Sequence, residues 1–141
     1  MNNRQLPHVW YNQEKQSGSA SNMFFIGNVI YSYGTHFPIA VIKNGLVLFT
    51  TNSYSVSTSK HISLVHGAIP SGTKIIYCKY PTEAASNSHS RNIESFKSAL
   101  ENVKKDLERA RKKDKHIYKL NMLNYNIHSY FKHFNLNIND L

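Results

Sequence analysis

The sequence contains very little cysteine: Cys78 is the only one in 141 residues. A lone cysteine cannot form an intramolecular disulfide, which indicates a reducing compartment, and its place in the apolar run KIIYCKY predicts a buried structural thiol. Long apolar runs are also missing, since none approaches the ~18 residues of a membrane-spanning helix. The N-terminal segment MNNRQLPHVW has no apolar block of the signal-peptide kind. We therefore expect a cytoplasmic protein without membrane contact.

Carboxylates are nearly absent from the first part of the chain, where Glu14 is the only acid before Glu83. Glycosidases and two-metal nucleases need clustered carboxylates, so both classes are disfavoured. The eight histidines show no HExxH spacing, and zinc would find no cysteine pair. A glycine-rich phosphate loop and a Gly-x-Ser-x-Gly elbow are missing as well. We expect no metal and no cofactor, and a non-enzymatic protein is favoured.

Positive charge, by contrast, is abundant, with a formal net charge of +9. Residues 1–82 hold six Lys or Arg against one acid, and residues 83–141 hold eleven against seven. Such a chain attracts acidic partners such as nucleic acid, through steering and through release of bound counterions. The alternative is an alkaline soluble protein whose lysines are merely solvated.

The first half of the chain has the pattern of a small sheet. Gly27-Asn28 and Asn44-Gly45 are two-residue hairpin signals, and each separates a pair of apolar runs. We predict a short helix or an extended arm at 8–16, a flexible loop at 17–22, a short helix at about 59–68 capped by Ser57 or Thr58, and a polar loop at 81–90. The predicted strands are 23–26, 29–33, 39–43, 46–50 and 74–80.

The second half has a helical pattern. An apolar stripe with steps of three and four begins at Ile93 and resumes at Ile117, and the run RKKDKH at 111–116 separates its two parts. Either one helix of about 44 residues runs through, or a hairpin turns at 112–116; two helices are favoured because the apolar register slips after Ile117. One long helix would suit a coiled-coil homodimer.

Together these patterns predict an α+β fold: a small, mostly antiparallel sheet with a short helix and two C-terminal amphipathic helices, or one long helix. Residues 1–82 form the sheet-rich basic region, and residues 83–141 form a helical region that is packed on it or projects from it. The apolar runs at 39–42 and 46–49 are continuous, which predicts strands covered on both faces. The C-terminal helices are the candidates for covering the second face.

Candidate binding residues occur in the strands and at the short helix. Tyr31 and Tyr33 share one face of an extended VIYSY strand, and an exposed pair would form a base-stacking platform. The alternative is that both rings belong to the core. Lys60 and His61 follow a hydroxyl-rich stretch that could hold phosphate oxygens at a helix start, although serine and threonine are common at strand ends.

The densest positive cluster lies in the helical half. It could grip phosphates or an acidic protein surface, or it could be a solvated helix face. Its members are Arg109, Arg111, Lys112 and Lys113, followed by Lys115 and His116.

Metal-independent phosphodiester cleavage is a further hypothesis. Two histidines can act as base and acid while a lysine binds the phosphate, which assigns these roles to His36, His61 and Lys60. The spacing does not show that the two histidines meet, and the alternative is that they donate hydrogen bonds to backbone at turn edges.

The segments YSYGTHFPIA (31–40) and YSVSTSKH (54–61) resemble a pattern of small phage-encoded proteins of unknown function. In that pattern a tryptophan-containing arm precedes a YSYG-x-HFPIA strand, and a YS-x-STSKH segment opens a short helix. The match spans about residues 8–70 and excludes the helical tail at 90–134. The resemblance implies a viral origin and action in a bacterial cytoplasm, and it implies no activity. The matching positions are Tyr31, Ser32, Tyr33, Gly34, His36, Phe37, Pro38, Ile39, Ala40, Tyr54, Ser55, Thr58, Lys60 and His61.

Three hypotheses for function follow from the sequence. The first is a non-enzymatic phage accessory protein that binds nucleic acid or a host nucleoprotein complex. The second is an inhibitor of a host protein or defence system, similar to an anti-CRISPR factor, that acts through its helical part. The third is the metal-independent nuclease.

Overall fold

The computed structural model describes residues 1–53 and 55–141, so Tyr54 of the YSVSTSKH segment lies outside the described residues. The fold is α+β, as predicted. The chain divides into two compact units, Met1–Ser86 and Asn87–Leu141. The sequence pattern predicts this division after residue 82, whereas the last short helix of the sheet region belongs to the first unit.

The first unit is built on a six-stranded sheet whose strands lie side by side in chain order. Neighbouring strands are antiparallel except the last two, which are parallel. The strands are β1 Ser17–Ser19, β2 Met23–Ile26, β3 Val29–Ser32, β4 Pro38–Lys43, β5 Leu46–Thr50 and β6 Ile75–Cys78. The helices are α1 Leu6–Tyr11 before the sheet, α2 Val56–Ala68 between β5 and β6, and α3 Pro81–Ala85 after β6.

Both hairpins form where the sequence predicts them. Asn44 and Gly45 have φ of 52° and 79°, the pair of positive values that a type I′ turn needs. In the other hairpin only Gly27 has a positive φ, 58°, which is the glycine-first pattern of a type II′ turn. These turns fix the register of the central strands, so Ile26 pairs with Val29 and Lys43 with Leu46.

Three local predictions were wrong. Helix α2 begins at Val56 rather than near 59, because the Ser55 side chain accepts a hydrogen bond from the Thr58 amide and caps the helix earlier. The predicted loop at 17–22 contains β1, which adds to the sheet edge through backbone pairing with β2. The predicted polar loop at 81–90 contains α3, whose first position is a proline suited to a helix start.

Both faces of the central strands are buried, as the continuous apolar runs predicted. On one face, Phe25 and Phe49 pack with Leu6 and Trp10 of α1 and with Val65 of α2. On the opposite face α3 packs against β4, β5 and β6. That the C-terminal helices also cover this face stays a prediction.

Cys78 lies fully buried in β6. Burial raises the pKa of its thiol to about 12, so the reactive thiolate is scarce at neutral pH. This confirms the buried structural thiol that the sequence predicted.

The second unit is a helical hairpin, so the two-helix alternative is confirmed. Helix α4 spans Ser90–Arg109 and α5 spans Asp114–His133, and a short 3₁₀ turn follows at Ile138–Asp140. Ring contacts join the start of α4 to the end of α5, including Phe96 with Tyr130 at 5.3 Å between centroids, which makes the pair antiparallel. The turn comes two residues earlier than predicted, because Asp114 opens α5, where a carboxylate is favourable.

Within the described residues, every helix falls short of the length and apolar character needed to cross a membrane.

Candidate functional site

The segments 31–40 and 55–61 meet in the first unit. Ser32 ends β3, His61 lies in the second turn of α2, and the Ser32 Oγ and His61 Nδ1 atoms are 2.7 Å apart across 29 residues of sequence. The Tyr33 ring lies against the imidazole, with 5.3 Å between centroids. A tight turn holds this arrangement, because the Gly34 amide donates to the Ser32 carbonyl and the Phe37 amide to the Gly34 carbonyl.

A serine hydroxyl beside a histidine can be a nucleophile with its base, but only where substrate reaches the hydroxyl. Here Ser32 is 1% exposed and His61 is 4% exposed. Burial lowers the pKa of His61, so its imidazole is mainly neutral at pH 7. The His61 Nδ1 and the Ser32 hydroxyl form one hydrogen bond. The pair therefore joins β3 to α2 inside the unit, and we assign it a structural role.

The nuclease hypothesis gains nothing from this geometry. His36 is exposed, and its ring folds back over Gly34, where a Cβ atom added to the glycine would lie 2.7 Å from the His36 Nδ1. His61, its proposed partner, is buried with Ser32. An acid–base pair must reach one substrate together, so we do not propose this activity. Among the described residues, no cluster of three His, Cys, Asp or Glu side chains could hold a metal ion.

Lowering the pH is expected to destabilise the first unit through His61. Because the folded-state pKa of His61 is lowered, the unfolded chain binds more protons there when the solution is acidified. This contribution to stability is complete above the unfolded pKa of about 6.5 and is lost as the pH falls from there through the folded pKa. Fluorescence of Trp10, the sole tryptophan, follows urea unfolding of this unit at each pH.

The variant His61→Gln keeps a polar side chain that does not titrate, so its pH dependence in this range should be flatter than that of the wild type. His36→Gln, at an exposed position of the same unit, is the matched control and should leave the pH dependence unchanged. Equal pH dependence in the wild type and His61→Gln would contradict the assignment.

Tyr31 and Tyr33 do not form the predicted pair. Strand β3 ends at Ser32 and Tyr33 has a φ of 64°, so the alternation of an extended chain stops before Tyr33. Tyr31 instead stacks on Phe24 with 5.0 Å between centroids, in a groove beside α3 that Lys43 also lines. Tyr33 is exposed and lies by His61. The prediction that these two rings share a stacking platform is therefore wrong.

Lys60 and His61 are neighbours in sequence but occupy different surroundings. Lys60 is exposed on α2 and lines a groove beside the N-terminal turn, whereas His61 points into the unit. The hydroxyl-rich stretch before them does begin a helix, as the phosphate hypothesis requires.

The basic cluster lies at the tip of the helical hairpin. Its five cations are exposed, and the segment that holds them contains one acid, Asp114. The Lys113 ammonium donates to the Leu107 carbonyl at the C-terminal end of α4, which ties this lysine to the turn. We call this surface the basic tip; its residues are Arg109, Arg111, Lys112, Lys113 and Lys115.

An aromatic stripe continues from the basic tip along α5. Tyr118, Met122 and Tyr125 are 66%, 44% and 67% exposed, although all three are large. Their steps of four and three place them on one helix face, opposite the face that buries Ile127 and Phe131. Lys115 stands one turn before Tyr118 on the same side. We call Tyr118, Met122 and Tyr125 the Tyr-Met-Tyr stripe.

The sequence carries a signal for this stripe. The apolar stripe of α5 is predicted to begin at Ile117, but Ile117 is exposed and the packed face begins at Leu120. A second period of three and four, offset from the first, runs through Tyr118, Met122 and Tyr125. A helix that is apolar on two opposite faces has one more face than its hairpin partner can cover.

Comparison with known proteins covers the first unit. A family model described as a family of unknown function, DUF8033, matches residues 5–82, which is more than half of the chain, and the chain belongs to this family. The basic tip and the Tyr-Met-Tyr stripe lie outside the matched residues. A search of curated proteins and a search of solved structures each returned no match.

Proposed function

We propose that this protein binds single-stranded nucleic acid through the helical hairpin of its second unit. The observation that supports this most is the continuity of the basic tip with the Tyr-Met-Tyr stripe along one exposed side of α5. Cations hold phosphate oxygens, and exposed rings stack on bases, so the two surfaces serve the two chemical parts of one strand.

The spacing of the stripe suits an unpaired strand. Tyr118 and Tyr125 are two helical turns apart, roughly 10 Å along the axis at 1.5 Å per residue, and Met122 lies between them. Stacking needs the π-face of a base, which a duplex hides inside its own stack, so these rings favour single strands. The soft Met122 side chain adapts to whichever base lies against it.

Charge supports a polyanionic partner over a neutral one. The basic tip carries five cations, and the net charge of the whole chain is +9, which steers polyanions from a distance. A neutral protein partner would leave five desolvated cations without anions, which is costly. The viral origin, which rests on the sequence resemblance, remains part of this hypothesis, and a nucleoprotein complex remains an alternative to free nucleic acid as the partner.

Neutralising the basic tip is expected to weaken binding. In Arg111→Gln/Lys112→Gln, two phosphate contacts are lost, so affinity for a labelled single-stranded oligonucleotide should fall roughly tenfold or more at low salt. The slope of log affinity against log salt should become shallower by about 1.4, at about 0.7 per contact for single strands. Fluorescence anisotropy at several salt concentrations measures both quantities.

The matched control is Lys15→Gln/Lys74→Gln, which removes two exposed lysines from the first unit and lowers the net charge equally. If only the net charge matters, the control and the tip variant will lose affinity to the same extent. That result would contradict a binding site at the basic tip.

A second candidate function is the binding of a host protein, as an inhibitor would. The Tyr-Met-Tyr stripe favours it, because tyrosine, methionine and arginine are enriched at protein interfaces. A pull-down from host lysate treated with nuclease separates the two. A stoichiometric protein complex that survives nuclease and salt supports the inhibitor; loss of the captured material on nuclease treatment supports nucleic-acid binding.

A homodimer through α5 would be seen as a doubled mass in light scattering.

A further inference from the structure

We infer that the groove between the N-terminal turn and α2 in the first unit binds a small organic phosphate ester of the nucleoside monophosphate class. This site is separate from the surface proposed for nucleic acid, since every residue that lines it lies in Met1–Ser86. The groove has a volume of about 650 Å³, within the usual range for small-molecule sites. Its lining residues are Asn3, Arg4, Val56, Ser59, Lys60, Ser63 and Leu64.

The wall from α2 is one face of that helix. Val56, Ser59, Lys60, Ser63 and Leu64 follow steps of three and four, which place them together. The opposite face of the helix packs on the core, so the groove face is left open to a ligand. Two hydroxyls and one ammonium therefore line the same strip of helix surface.

The wall from the N-terminal turn is held in place by hydrogen bonds. The Asn2 Oδ1 accepts from the Arg4 amide at 3.0 Å and from the Gln5 amide at 2.9 Å. In return the Asn2 amide donates to the Gln5 Oε1 at 3.1 Å. These reciprocal bonds fix the backbone of Asn3 and Arg4 in the turn before α1, so both side chains begin from an ordered position at the groove.

The charge of the groove selects an anion. Arg4 contributes a guanidinium and Lys60 an ammonium, and none of the lining residues is acidic. Glu14 and Glu83 are the only carboxylates among residues 1–86, so little negative charge competes with a ligand. Arginine and lysine donors together with serine hydroxyls are the usual partners of a phosphate group.

One further feature requires more than a bare phosphate. Val56 is 75% exposed at the first position of α2, and Leu64 adds apolar surface. A phosphate ester whose organic part has a flat apolar face would cover this surface. A nucleotide base has such a face.

Titration of the ¹⁵N-labelled full chain with adenosine monophosphate tests this inference. We expect saturable shifts of the Ser59, Lys60 and Ser63 amides, and an affinity at least ~10-fold weaker for adenosine and for inorganic phosphate, because each supplies only half of the contacts. Adenosine monophosphate that binds no better than inorganic phosphate would overturn the organic part of the proposal. Absence of saturable shifts at these amides would overturn the site itself.

Three variants distinguish binding in the groove from a general effect of net charge and from binding at the helical hairpin. Arg4→Gln/Lys60→Gln should weaken adenosine monophosphate binding at least ~10-fold, whereas the control Lys15→Gln/Lys74→Gln should not. The hairpin variant Arg111→Gln/Lys112→Gln should bind the mononucleotide normally. Equal losses in the groove variant and its control would overturn the proposal while leaving the oligonucleotide site untouched.

Discussion

Replacing Tyr118 and Tyr125 together with alanine is expected to weaken binding of a single-stranded oligonucleotide by at least ~30-fold. Each stacked base contributes about 1–3 kcal/mol by alanine substitution, so two rings supply about 2 kcal/mol at the least. Both rings are more than half exposed, so the free energy of unfolding should change by less than about 0.5 kcal/mol. Anisotropy titration gives the affinity, and circular dichroism on urea unfolding gives the stability.

The matched controls use the same residue type. The Tyr118→Phe/Tyr125→Phe variant keeps both rings and should bind nearly as well as the wild type. Tyr33→Ala removes an exposed tyrosine of the first unit and should leave the affinity for the oligonucleotide unchanged. Tyr33 is also a candidate base-stacking residue predicted from the sequence. If Tyr33→Ala costs more affinity than the α5 double variant, the stacking surface lies in the first unit instead.

Trp10→Ala is expected to have the largest effect on stability. Trp10 is fully buried in the core of the first unit, and its indole Nε1 donates to the Asn28 carbonyl at 2.9 Å. Truncating a buried tryptophan costs about 3–5 kcal/mol. The Asn28 carbonyl also loses one of its two donors, and the Ile42 amide remains as the other. Since whole domains are stable by only about 5–15 kcal/mol, the variant should lose a large share of its free energy of unfolding. Circular dichroism on urea unfolding measures the loss.

Trp10→Phe keeps the test informative if Trp10→Ala does not fold. It retains an aromatic ring but loses the indole donor, so its stability should lie between those of the alanine variant and the wild type. Ile26→Ala, at an exposed position in β2, is the control and should change stability by less than about 0.5 kcal/mol. A Trp10→Ala variant within about 1 kcal/mol of the wild type would contradict the placement of Trp10 in the core.

The parts of the fold that sequence predicted are those fixed by short-range chemistry. Gly27-Asn28 and Asn44-Gly45 set two hairpins through backbone dihedral angles that these residues adopt readily. The continuous apolar run of β5 predicted burial on both faces, and the whole strand is buried. The errors at β1 and at the start of α2 have local causes too, since one depends on pairing with β2 and the other on the Ser55 cap.

The surroundings of His61 were harder to predict because they depend on contacts distant in sequence. The bond between Ser32 and His61 spans 29 residues, and no periodicity indicates it. The prediction that Tyr31 and Tyr33 share one strand face was wrong because β3 ends one residue earlier than predicted. Tyr33 has a positive φ, so its side chain no longer follows the alternation of the strand. Tyr118 and Tyr125 could have been found from their spacing, but in sequence they blend into an apolar helix.

The most direct test of the proposed function is to map the surface of the intact protein to which a single-stranded oligonucleotide binds. The ¹⁵N-labelled full chain is titrated with a short single-stranded oligonucleotide at low salt, and the shift of each backbone amide is followed. We predict that the largest shifts fall between residues 109 and 125, at the basic tip and the Tyr-Met-Tyr stripe, and that they fade as salt is raised. Shifts confined to the first unit, or none at low salt, would contradict it.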